Sequence, residues 1–138
     1  MLKLITILFV APILLSAQLD TSKISRVLSS LQYKTPLTFY KDKNIDIDNG
    51  LHFTSLDKAD IVLFPKKSNK VEKIVISDSY GDLRNNKKSI GAIYLRKGRT
   101  QIVFIEERLK NNGLILPKKF KKYIITECEL NPICLLMN

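Results

Sequence analysis

Apolar residues along this chain recur with two different periods, and the changes of period mark out its elements. From Thr21 onward, Ile24, Val27, Leu28 and Leu31 fall at i, i+3, i+4 and i+7, one face of a helix. Thr21 or Ser22 supplies its cap and Pro36 its stop. Leu37-Thr38-Phe39-Tyr40 reads as a strand. Lys41 to Gly50 is a polar connection closed by the turn signal Asp48-Asn49-Gly50, and Leu51-His52-Phe53 reads as a short edge strand.

The pattern then becomes continuous. Ala59-Asp60-Ile61-Val62-Leu63-Phe64 is stopped by Pro65, and Val71 to Ser77 is a second β-branched run. Both suit strands buried on two faces, as in a parallel sheet. Asp78 to Lys88 is a polar loop or short helix anchored by Tyr80 and Leu83. Ser89–Arg96 and Thr100–Ile105 read as two strands joined at Lys97-Gly98-Arg99, where Gly98 supplies the positive φ of a hairpin turn. Glu106 to Asn112 reads as a short helix with acidic residues at its start and Gly113 as its stop. Pro117 opens a last helix through Leu130, with Phe120, Tyr123, Ile124 and Cys128 on one side. The predicted architecture is a small α/β domain of two or three layers. Its sheet is mixed and mainly parallel, with strands side by side in chain order and a C-terminal hairpin flanked by helices.

The first 17 residues change where this domain is expected to work. Lys3 precedes an uncharged apolar run from Leu4 to Leu15, and the small residues Ser16 and Ala17 follow. This is the layout of a secretory signal peptide, with cleavage after Ala17, although Leu15 is larger than the usual −3 residue. A run of about a dozen residues is too short for a ~30 Å hydrocarbon core, which takes about 20. The expected organisation is a signal peptide over 1–17 and a single domain over 18–138, exported to the periplasm.

Charge comes next. The chain holds 23 Lys+Arg against 13 Asp+Glu, a net charge of +10. Residues 18–60 are balanced, so the excess lies in residues 61–138, with sixteen basic and seven acidic side chains. Such a balance first points to nucleic acid. Export removes that class and leaves an acidic envelope protein, lipid head groups or anionic polymers. The cations concentrate at Arg96, Lys97 and Arg99 and in the quartet Lys118, Lys119, Lys121 and Lys122. Lysine supplies most of the basic residues, a bias that also fits AT-rich coding. The hairpin cations suit a partner surface, the alternative being ordinary solvated charge.

Catalytic signals are sparse. His52 is the only histidine and reads as an edge or surface residue. No nucleophile elbow, paired metal-binding histidines or phosphate loop is present, and no metal or cofactor is expected. Asp46 and Asp48 alternate with Ile45 and Ile47 and read as solvated loop rather than a cation site. Asp78 and Ser79 follow the second buried strand directly. Ligands gather beyond the carboxyl ends of such strands, so these two residues are a candidate site for a small anion or a partner. The alternative is a turn that caps the next helix. Cys128 and Cys134 flank Asn131-Pro132, and in an exported chain that even pair reads as a disulfide, of about 2–3 kcal/mol at most for so short a loop.

The C-terminal patterning resembles that of YfiR-like periplasmic proteins. The residues that carry it are Gly91-Ala92-Ile93, Ile102-Val103-Phe104-Ile105 and Gly113-Leu114-Ile115-Leu116. Ala59-Asp60-Ile61-Val62 and Val75-Ile76-Ser77-Asp78 match earlier strands. Glu106 and Pro117 stand where that family has Asn and Ser. The resemblance spans about residues 59–125 and implies a periplasmic α/β module that represses a membrane-bound diguanylate cyclase by binding its periplasmic domain. The same pattern is similar to one lobe of a type 2 periplasmic solute-binding protein. The expected function is therefore a non-enzymatic binding module that docks on an inner-membrane or envelope protein. The alternative is a single-lobe solute-binding or sensor protein for a small anion.

Overall fold

The computed structural model describes residues 18–47 and 50–136. The signal-peptide segment 1–17 and Asp48 lie outside them.

Helix α1 covers Thr21–Leu28 and buries Ile24, Val27 and Leu28. Its cap is Asp20 rather than Thr21 or Ser22, with the carboxylate accepting from the Lys23 amide at 3.1 Å. The helix also ends well before Pro36. Ser29 and Ser30 turn their hydroxyls onto the Arg26 carbonyl, and Gln32 leaves to exchange backbone bonds with Ile115 at 2.8 and 3.0 Å. Leu31 is buried beyond the helix.

Seven strands follow: β1 Thr38–Lys41, β2 His52–Phe53, β3 Ile61–Leu63, β4 Ile74–Ser77, β5 Ser89–Arg96, β6 Arg99–Ile105 and β7 Ile124–Ile125. They form one sheet in the order β2-β1-β3-β4-β5-β6-β7. Strands β2, β1, β3, β4 and β5 are parallel, β6 is antiparallel to β5, and β7 is parallel to β6. The expected α/β class, mainly parallel sheet and C-terminal hairpin are present. The expected chain order is corrected at one place, because β2 lies outside β1. All three residues of β3 are buried and require neighbours on both sides, whereas two-residue β2 exposes His52 and suits the edge.

Helix α2 (Tyr80–Asn85) and helix α3 (Glu106–Asn111) flank the hairpin. Along β6, Ile102 and Phe104 join the larger core with α1, while Val103 and Ile105 join a smaller one with Leu83 and Leu130. That period of two places covering elements on both faces of the sheet. Gly113 stops α3 at φ +68°, with Gly113 and Leu114 donating back to Lys110 and Leu109 at 3.0 and 2.9 Å.

The last helix is the main correction. Lys118–Tyr123 is a 3₁₀ stretch, Ile124 and Ile125 form β7, and two short helices follow, α4 (Glu127–Leu130) and α5 (Pro132–Leu136). Ile124, Ile125 and Thr126 are β-branched, and the two isoleucines pair with Phe104 and Ile105. Thr126 then caps α4 through the Glu129 amide at 3.2 Å.

Candidate functional site

Strands β1, β3, β4 and β5 present their carboxyl ends at one edge of the sheet. Chain order reverses between β1 and β3, which is where open parallel sheets form a crevice. Phe64 leaves β3 with φ +54°, yet its amide still donates to Ile76 O at 2.9 Å. Around it the Asp42 carboxylate accepts from the Lys66 amide at 2.9 Å, and Lys43 lies 3.6 Å from Asp78.

Asp78 and Ser79 stand at this edge. The Ser79 hydroxyl accepts from the Asp82 amide at 3.1 Å and caps α2. Asp78 is exposed and carries Lys43 as its counter-ion. Behind them Asp82 accepts hydrogen bonds from Ser68 and Ser77, and Ser77 lies 2.7 Å from Ser89. These bonds tie β4, α2 and β5 into one polar knot beneath the edge.

His52 lies far from this edge. It pairs with Thr38 at the amino end of the sheet, three strands across and five residues down from Asp78. At ordinary strand spacings that is roughly 20 Å. Asp46 sits in irregular chain rather than on a strand face, because Ile47 folds back onto Ile45 O and buries its own side chain. Among the described residues no three His, Cys, Asp or Glu side chains gather as a metal site.

The basic hairpin is the clearest surface feature. Arg96 pairs with Arg99, and the two residues between them both hold positive φ, Lys97 at +50° and Gly98 at +75°. This is a type I′ turn, whose twist matches that of the strands. All three cations are exposed, and none has a carboxylate partner among the described residues. Below the tip, Tyr94 meets the Tyr80 ring edge-on at 6.4 Å. Burial pushes the Tyr94 phenol above its ordinary value, opposed by the Arg96 guanidinium and supported by Tyr80.

Lysine in left-handed backbone carries a penalty of roughly 1–2 kcal/mol that Asn largely escapes. Lys97→Asn should therefore raise Tm by about 2–4 °C in thermal unfolding. A lower Tm would mean that the Lys97 side chain itself supports the turn.

Cys128 and Cys134 form the expected disulfide, with Cα atoms 5.1 Å apart. It joins α4 to α5, so the segment expected as a tail is itself helical as far as Leu136, and it leaves Ile133 and Leu136 exposed. The quartet Lys118, Lys119, Lys121 and Lys122 is exposed on the 3₁₀ stretch, while Phe120 turns inward.

Two contributors were not evident from the sequence. Arg108 is buried and bonds Glu127 together with the carbonyls of Leu83, Asn86 and Ser89. Lys23 reaches the Thr100 carbonyl at 3.1 Å. The partners of both lie far along the chain, so no local pattern announces them.

Comparison of the chain with protein-family profiles, curated proteins and solved structures finds no match.

Proposed function

We propose that this chain is an exported, non-enzymatic module that docks on an acidic surface of an envelope protein, as the YfiR-like patterning implies. The observation that carries the reading is the hairpin tip. Arg96, Lys97 and Arg99 project together without carboxylate partners among the described residues, from a turn held in strained backbone. Like charges kept so close favour an anionic partner and raise its association rate. The non-enzymatic part is supported by the separation of His52 from Asp78 and Ser79. Beyond the carboxyl ends of β1 and β4, Lys43 already has Asp78 as a partner, which gives a small anion less to bind.

The test is crosslinking in the cell envelope, combined with thermal shifts of the purified protein. The expected result is a specific crosslink to an inner-membrane protein that falls about tenfold when Arg96, Lys97 and Arg99 are all changed to Gln. Phosphate and small organic anions should leave Tm unchanged. An unchanged crosslink in the triple variant would remove the hairpin from the docking surface, and a large shift with one small anion and no crosslink would replace the docking reading with the solute-binding one.

A further inference from the structure

Strand β6 is long and its neighbours are unequal. On one side β5 pairs with it from Arg99 to Phe104. On the other, β7 reaches only Phe104 and Ile105. The outer edge of residues 99–103 therefore has no strand beside it among the described residues. Hydrogen bonding alternates along an antiparallel ladder, and the pair closing a two-residue turn is a bonded one. With Arg96 and Arg99 as that pair, the backbone groups of Thr100 and Ile102 point outward. Lys23 Nζ, 3.1 Å from Thr100 O, already occupies one of these positions.

A groove of about 340 Å³ follows this edge. Its lining takes Thr100 and Ile102 from one face of the sheet and Gln101 and Val103 from the other, together with Lys23 and Tyr123. A lining drawn from both faces belongs to the edge itself. A second groove, under Arg96, Lys97 and Arg99, shares Gln101 and continues the first to the turn. No acidic side chain lines either groove among the described residues. Lys23 and Lys122 both stand over the Tyr123 ring, at 5.5 and 5.1 Å from its centre.

We propose that an acidic, extended segment of the docked protein adds to the sheet as a strand along residues 99–103, displacing Lys23 from Thr100. The inference rests on the docking reading above and supplies its binding mode. Main-chain bonds to Thr100 and Ile102 give affinity, and Arg99, Lys23 and Lys122 select for acidic side chains. Charge also decides against a second copy of this chain, because two such edges would bring like cations together. Lysines on an open edge commonly block that pairing.

The probe is a fluorescein-labelled acetyl-(Val-Glu)4-amide peptide, with a second peptide of the same sequence methylated at every backbone nitrogen. Charge is equal in the two, but the methylated peptide has no main-chain donors. The parent should bind the purified protein in a fluorescence anisotropy titration, and the methylated form at least tenfold more weakly. Hydrogen exchange at the Thr100 and Ile102 amides should slow at least tenfold in the parent complex. Equal affinity of the two peptides would overturn strand addition and leave charge-driven docking standing. Absence of parent binding, or of protection at the two amides, would overturn it as well. So would a peptide-free dimer that protects the same amides, because the edge would then belong to a second copy.

Discussion

Replacing Arg108 with Ala should cost about 3–5 kcal/mol, a large part of the ~5–15 kcal/mol that holds a domain together. The Arg108 side chain is 5% exposed, and all three of its guanidinium nitrogens donate. Nε and Nη2 meet Glu127 at 2.6 and 3.2 Å, and Nη1 donates to Leu83 O, Asn86 O and Ser89 O at 2.7, 3.1 and 2.8 Å. Leu83 lies in the last turn of α2, where helix carbonyls lack an intrahelical partner, and Asn86 is its C-cap. Without Arg108 the Leu83 and Ser89 carbonyls lose a buried donor, which is the expensive half of a broken hydrogen bond, whereas Asn86 O keeps the Ser89 amide at 3.0 Å. The converse change, Glu127→Ala, should cost less, because the Glu127 side chain is 42% exposed and water can approach the space it leaves. Arg108→Lys should fall between them, keeping a charge but losing the fork. Urea denaturation of the three variants checks the ranking. An Arg108→Ala midpoint within error of the parent would mean that α2, α4 and β5 are held together without this residue.

The middle of the sheet was legible because its signals are local. Ile61–Leu63 and Ile74–Ser77 are β-branched runs bounded by Pro65 and a polar segment, and they form the central strands. Lys97-Gly98 between two alternating runs announced the hairpin, and Gly113 announced the end of α3. The ends of the chain were less legible because distant partners decide them. Helical periodicity in α1 continues to Leu31, yet the helix stops at Leu28, since Gln32 is claimed by Ile115 more than eighty residues away. Periodicity after Pro117 is equally helical, but Ile124 and Ile125 complete a sheet edge instead. The exposed cations of the hairpin could be read directly. The open edge beside them could not, because it exists only where β7 is shorter than β6.

The two levels meet at the hairpin. A projecting turn gives cations but little shape, and a bare strand edge gives hydrogen bonds but little selectivity. Joined through Gln101, they provide both along one line. Arg108 acts at the other end of the same hairpin, by bonding the Ser89 carbonyl where β5 begins. The β5–β6 pair is thus anchored at its base, while the cations of its turn have no carboxylate partner among the described residues.

Gly91→Ala tests how tightly that pair is built, and it should destabilise the protein by about 3 kcal/mol, the upper end of the usual range for overpacking. Gly91 has no positive φ, so the constraint is space rather than backbone conformation. A Cβ there would stand 2.5 Å from Val103 O and 2.8 Å from Phe104 Cδ1. The first is a backbone carbonyl of the β5–β6 pair, and the second belongs to a fully buried ring. Neither gives way without moving β6. Gly81 in α2 supplies the control, because a Cβ added there would meet nothing within 4 Å, and a helix prefers Ala to Gly by roughly 0.5–1 kcal/mol. Gly81→Ala should therefore be neutral or stabilising while Gly91→Ala is costly, both measured by urea midpoint. Equal effects would mean that β5 and β6 separate easily. In that case the edge at residues 99–103 would lack the rigidity needed to template an added strand.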